Sequence, residues 1–244
     1  MSVYIAYTNA SLAAAPGKLG NVPLPSDAGL AILGLEPAAW FRGLDAAVAP
    51  DFTWSDRIGG VVAVPTQSGF QPTLTEKNGK QVVKFNTAGV NIDPIIPVSG
   101  PYTFLFVGDL ASANHGILGD GGATGMQINV NTNSQINVRH TSSGTVVTSP
   151  VIVVAGQPAA YAVSWDGANT IAISKNGVVV GTGTISDVPV LPAKQILGAR
   201  TGNTSFGLNV PVYDVLTFRK NLHAAGYSAE LGWLVQTLRD FYAI

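Results

Sequence analysis

From Ala38 onward the chain is a succession of short alternating or apolar runs cut by clusters of Gly, Pro, Asn and Asp. That rhythm demands a core built from many short strands rather than from helices. The clearest runs are AAWFRGLD (38–45), QVVKFN (81–86), YTFLFVGDL (102–110), GMQINVN (125–131), QINVRHT (135–141), AAYAVSWDG (159–167), TIAISKNGVVVGTGT (170–184), AKQILGAR (193–200) and VPVYDVLTFRK (210–220). Together they exceed what one flat sheet holds comfortably, so two packed antiparallel sheets are expected.

Two hairpins are legible. Asn176-Gly177 sits between Ile171–Ser174 and Val178–Val180, and Asn-Gly accepts the positive φ angles of a two-residue type I′ turn. Around Thr132-Asn133-Ser134, Ile128, Val130, Ile136 and Val138 fall on one face and Asn129, Asn131, Asn137 and Arg139 on the other. That second pair should present a wet, polar, low-charge face.

Only the C-terminus has a helical period. In 227–242 the residues Leu231, Leu234, Val235, Leu238 and Tyr242 share a stripe, with Ser228 placed as an N-cap and Glu230 near the positive end. Arg239 is the sole cation of this segment, so the helix is expected to lie on the sandwich and not on a membrane surface.

Residues 1–36 are different: ASLAAAPGKLG and NVPLPSDAG follow neither period. Two readings stay open there, an extended arm that docks on a neighbour, or a strand or two packed on the domain with a tail. The division expected is therefore an arm over 1–36 and a sandwich over 37–244 ending in the helix.

Composition closes off several functions. The 244 residues carry 13 Lys+Arg against 14 Asp+Glu, a net charge of -1, and charged residues make up only 11% of the chain. There is no electrostatic footprint for nucleic acid or an anionic membrane, and no apolar run reaches the length of about 18 residues that spans a bilayer. With no Cys, disulfide scaffolds, thiolate nucleophiles and Cys-ligated metals are excluded. The first basic residue is Lys18, and the preceding stretch lacks a basic leader with a clean apolar block, so no secretory signal is expected.

A family resemblance emerges from the order of several short motifs. Trp40-Phe41-Arg42-Gly43-Leu44-Asp45, Thr53–Gly60, Pro72-Thr73-Leu74 and Val82–Asn86 resemble the opening of a concanavalin A-like, laminin-G-like jelly roll. Tyr102-Thr103-Phe104 is similar to the next strand, Tyr161–Asn169 with Lys175-Asn176-Gly177 to the family's W-D-G…N-G hairpin, and Leu197–Arg200 to its L-G-G-R strand. Tyr213–Leu216 and the helix resemble its closing elements. The resemblance covers 38–244 and implies an all-β jelly-roll sandwich; function has to be argued from a site.

The glycan-cleaving branch implied by the resemblance uses E-x-D-x-E on one strand, three carboxylates sharing a face. That motif is missing, since the only glutamates are Glu36, Glu76 and Glu230. His115, His140 and His223 match neither a G-x-S-x-G elbow nor an H-E-x-x-H site and are read as surface or hydrogen-bonded residues. Calcium is implied by the resemblance, with Asp109, Asn114 and Asp120 as the oxygen donors near Gly116–Gly122, although Asp-Gly-Gly is equally an ordinary turn. For glycan binding the residues with suitable chemistry are Trp54, Asn169, Arg200, Asn203 and Tyr213, with Trp54 the exposed aromatic platform and Trp40 and Trp165 in the core.

These features predict a non-enzymatic virion component, a decoration, fibre or spike of a tailed bacteriophage. It would be assembled in the host cytoplasm, anchored on other virion proteins by 1–36, and display a jelly roll that can hold cell-surface polysaccharide. The resemblance implies a symmetric homo-oligomer, in the first place a trimer. The alternative from another class is a stand-alone lectin module, with a glycoside hydrolase third.

Overall fold

The computed structural model describes residues 35–244 apart from 36, 49–50, 59, 88, 94, 97–98, 112–113, 120–124, 142–143, 190–193 and 201–206. The strands are β1 (Pro37–Ala47), β2 (Thr53–Asp56), β3 (Val62–Pro65), β4 (Thr73–Lys77), β5 (Lys80–Lys84), β6 (Val90–Ile92), β7 (Tyr102–Gly108) and β8 (His115–Gly119). They continue as β9 (Gln127–Val130), β10 (Ile136–Arg139), β11 (Val147–Thr148), β12 (Ala159–Trp165), β13 (Thr170–Lys175), β14 (Val178–Thr184), β15 (Gln195–Leu197) and β16 (Pro211–Phe218), and the chain closes with helix α1 (Ser228–Tyr242).

All pairings are antiparallel, and the order runs β11-β10-β9-β8-β15-β6-β3-β2-β1-β16-β7-β12-β13-β14, with β4–β5 attached through β5 to β16. The path folds over at β3, which pairs with β2 on one side and β6 on the other. Its two ends then approach each other, because Gly183 of β14 leaves no Cβ where the Val147 side chain of β11 packs. The expected all-β two-sheet sandwich with a C-terminal helix is thus the fold observed, and 1–34 and Glu36 of the proposed arm lie outside the described residues. Leu35, just before β1, is buried in the cluster under the helix.

The core is double. Between the sheets lie Phe41, Trp54, Phe85, Tyr102, Phe104, Phe106, Tyr161, Trp165, Ile128, Val130, Ile136 and Val138. On the other side of the β1-β16-β7-β12 sheet, Trp40, Leu105, Val107, Ala160, Ala162, Tyr213 and Leu216 pack against Leu231, Leu234, Val235, Leu238 and Tyr242 of α1. Burying each large apolar side chain contributes roughly 1.5–3 kcal/mol, so the helix stripe alone repays docking. This explains why β7 and β12 are apolar on both faces apart from Thr103 and Ser164: every residue of each is buried, one set by the opposite sheet and the other on the helix side.

Both expected hairpins form. Lys175 opposes Val178 across Asn176 (φ 52°) and Gly177 (φ 82°). Ile136, Asn137, Val138 and Arg139 oppose Val130, Asn129, Ile128 and Gln127, with the apolar four inward. The polar face is less wet than expected: Asn129 is buried and Asn137 and Arg139 are half-buried.

A third Asn-Gly turn, Asn78 (φ 49°) and Gly79 (φ 72°), joins β4 to β5, and the Asn78 amide donates to the carbonyls of Tyr242 (2.9 Å) and Ala243 (3.1 Å). It ties the hairpin to the helix C-terminus, where carbonyls lack intrahelical partners. Ser228 is not the N-cap. Tyr227 holds that place without a side-chain bond, because Ala224 already accepts from the amides of Tyr227 (2.9 Å) and Ser228 (3.1 Å) in the preceding turn.

Candidate functional site

The two sheets present very different outer faces. One is sealed by α1; the other, built on β8, β9 and β10, sets Gln127, Asn129, Asn137 and Arg139 in register on its outer side, with Asn137 and Arg139 half-buried and Gln127 and Asn129 buried. Gly116 of β8 opposes Asn129, and the chain after β15 lies directly on β8 there. A Cβ on Gly116 would land on the backbone of Ala199 and Arg200, and one on Gly119 would land on their carbonyls. These two glycines therefore let Arg200 approach the sheet, and its Nε donates to Gln127 Oε1 at 2.6 Å.

Further along this face Asn131 Nδ2 donates to Gln135 Oε1 (3.0 Å), and Asn131 Oδ1 accepts the amides of Asn133 (2.9 Å) and Gln135 (3.1 Å). The Asn131 amide is thus held by its neighbours within the hairpin. His115, at the start of β8, is half-buried; burial lowers its pKa, opposed by a bond to the Gly207 backbone.

Trp54 is not an exposed platform. It is fully buried, with its ring 5.5 Å from Phe41 and 6.3 Å from Phe85, and its Nε1 donates to the Arg42 carbonyl at 2.6 Å. Its polar neighbours Thr53 and Ser55 point the other way, as alternation along a strand requires. Tyr213 is buried too, edge-on to Tyr242 at 4.9 Å, and burial with the nearby Asp109 charge pushes its hydroxyl up to about 12. Trp40 and Trp165 are core, as expected.

Asn169 is exposed in the β12–β13 turn on the helix-covered sheet, where its Oδ1 accepts from Thr170. That turn is organised by Asp166, whose carboxylate accepts the amides of Ala168, Asn169 and Thr170 and is held below its usual pKa by those bonds despite some desolvation. Of the five expected glycan-binding residues, Arg200 alone falls on the helix-free polar face among the described residues; Asn203 lies outside them.

The calcium donors fare differently from one another. Asp109 follows β7 and lines a cleft with Lys77 and Lys84, a cationic setting for a metal ion. Asn114 is half-exposed before β8, and Asp120 lies outside the described residues. Among the described residues no three His, Cys, Asp or Glu side chains come together as metal ligands.

One pair has the spacing of a nucleophile and its base: Ser164 Oγ and His223 Nδ1 are 2.7 Å apart. The hydrogens argue otherwise. Thr103 Oγ1 gives its one hydrogen to the Lys220 carbonyl (2.7 Å) and accepts from the Leu222 amide (2.9 Å), so Ser164 must donate to Thr103 (2.7 Å). His223 Nδ1–H then donates to Ser164 and abstracts nothing, and burial lowers its pKa to about 4. His140 takes the hydrogen-bonded alternative of the two expected and is fully buried: its Nδ1–H donates to the Asp187 carbonyl (2.6 Å) and its Nε2 accepts from Tyr102 (2.9 Å). No helix among the described residues is long and apolar enough to cross a membrane.

Solved structures with this fold exist. Domain 4 of AbnA, a GH43 extracellular arabinanase from Geobacillus stearothermophilus, in complex with arabinotriose, has a TM-score of 0.59 at 15% identity over 82% of this chain and 98% of that domain. The binding domain of Paraclostridial Mosquitocidal Protein 1 has a TM-score of 0.57 at 9% identity, covering 82% of this chain and 52% of that one. Trypanosoma rangeli sialidase has a TM-score of 0.58 at 11% identity over 83% of this chain and 32% of its own, so the chain spans about a third of the sialidase. At these identities the likeness establishes a shared sandwich fold. Neither a scan against protein-family models nor a search of curated proteins finds a match.

Proposed function

We propose that this chain is a non-catalytic glycan-binding sandwich that holds its ligand on the helix-free face of β8, β9 and β10. The observation that carries the reading is the contrast between the two outer faces. One is packed under α1, while the other keeps Arg200 docked on Gln127 beside Asn129, Asn137 and Arg139. Hydroxyl-rich ligands need directional donors and acceptors already in place, and side chains immobilised by neighbours lose less entropy on binding. The arabinotriose-bound arabinanase domain, matched over nearly its whole length, supports a binding role for this sandwich. The Ser164–His223 hydrogen-bond direction and the missing E-x-D-x-E strand support the absence of hydrolysis.

The finer reading is a virus-particle component, in a tailed-phage decoration, fibre or spike, with 1–36 as the anchor and a homotrimer as the assembly. It draws on the composition of 1–36 and on the low-charge polar strands.

The test is a glycan-array screen of the full chain with calcium and again with EDTA. Selective binding that survives EDTA and is lost in Arg200→Ala is the expected result; no binding in either buffer would overturn the glycan reading. For the assembly, sedimentation of the full chain against a chain lacking 1–36 should show loss of the trimer, and an unchanged mass would remove the arm from the account.

A further inference from the structure

A cleft of about 310 Å³ opens beside the β4–β5 hairpin, at the lower end of the range for small-molecule sites. Thr75 and Lys77 come from β4, Lys84 from β5, Asp109 from the end of β7 and Asn209 from the approach to β16. Register puts the hairpin residues on one face: Thr73 opposes Lys84, Thr75 opposes Val82 and Lys77 opposes Lys80. The Asn78 clamp on Tyr242 and Ala243 fixes the hairpin against the helix, and the Val83–Val212 pairing fixes it to β16. The walls of the cleft are therefore anchored at both ends.

In a chain with only 13 basic residues, two of them converge here beside a single carboxylate. Among the described residues neither lysine nor Asp109 is ion-paired, so none of the three charges is spent within the fold. The local sum is one positive charge, matched to a singly charged anion. A carboxylate among the lining groups accepts from hydroxyls and repels a dianion, and Thr75 and Asn209 add neutral donors and acceptors.

We propose that this cleft binds a carboxylate-bearing sugar. Lys77 and Lys84 take the carboxylate, and Asp109, Asn209 and Thr75 take the ring hydroxyls. The site lies on the other sheet from the Arg200 face and stands or falls independently of it.

The experiment is an NMR titration of the full chain, 15N-labelled, with D-glucuronate, D-glucose and inorganic phosphate at fixed ionic strength. Glucuronate alone should give saturable shifts at the amides of Thr75, Lys77, Lys84 and Asp109. Lys77→Gln and Lys84→Gln should weaken binding several-fold with the remaining spectrum unchanged, as both side chains are exposed. Lys84→Arg should retain binding, and Arg200→Ala should leave it untouched. Equal shifts with glucose, tighter binding of phosphate, no saturation, or wild-type affinity in both glutamine variants would each overturn the proposal.

Discussion

Replacing Trp54 with alanine separates an aromatic sugar platform from a core residue. The indole is fully buried between Phe41 and Phe85, and its N–H meets the Arg42 carbonyl at 2.6 Å. Truncating a buried Trp costs about 3–5 kcal/mol through lost transfer energy and the cavity left behind. Stranding the Arg42 carbonyl adds about 1 kcal/mol. Against a total stability of roughly 5–15 kcal/mol, that removes a large fraction of the margin. Urea unfolding followed by far-UV circular dichroism should show a much lower midpoint with an unchanged slope. Trp54→Phe keeps most of the ring volume and should cost about 1–2 kcal/mol. An unchanged midpoint for Trp54→Ala, accompanied by lost glycan binding, would refute the burial argument and restore Trp54 as a contact residue.

Three further outcomes follow from the same geometry. Burial raises the pKa of Asp214 to about 7, against the opposing pull of Arg42 and the Tyr242 hydroxyl. A raised carboxyl favours folding while protonated, so its contribution is complete below about pH 4 and is lost as pH rises through 7, by at most about 1.4 kcal/mol per unit. Asp214→Asn should therefore gain on the wild type across that window. The comparison between variants is needed because His223, lowered to about 4, pulls the other way; a flat difference would contradict the assignment. Gly116→Ala would drive a Cβ into the Arg200 backbone, and should lower the melting temperature and abolish any binding that depends on Arg200; a variant with wild-type melting would show that the crossing segment yields freely. Ser164→Ala breaks a chain of hydrogen bonds ending at the Lys220 carbonyl and should destabilise by about 1–3 kcal/mol; loss of a hydrolytic activity seen in the wild type would contradict the donor order argued for His223.

Much of the fold was legible because local chemistry agrees with it. Asn176-Gly177 forms the expected type I′ turn, and the stripe Leu231, Leu234, Val235, Leu238 and Tyr242 is the buried stripe of α1. Asn78-Gly79 carries the same local signal and makes the β4–β5 hairpin that frames the cleft. Strands as short as β3, β6 and β11 carry too few residues for a period to show. Trp54 was misplaced because in a four-residue strand two polar neighbours look like a polar loop, whereas they are the outward half of an alternation. Within the site, Arg200 was visible as a charged residue on a Gly-rich strand, but Gln127, which orients it, lies 73 positions away. Nothing local connects them; Gly116 and Gly119, which let the two segments touch, read as ordinary turn-formers.

The central claim is that the helix-free face holds the glycan, and the most direct measurement is isothermal titration of the best array ligand into wild type, Arg200→Ala and Asn137→Ala. The account predicts clear weakening in both variants, with an unchanged unfolding midpoint for Asn137→Ala and a modestly lowered one for Arg200→Ala, which takes a donor from the buried Gln127 amide. Wild-type affinity in both, with binding intact, would place the glycan elsewhere on the molecule and contradict it.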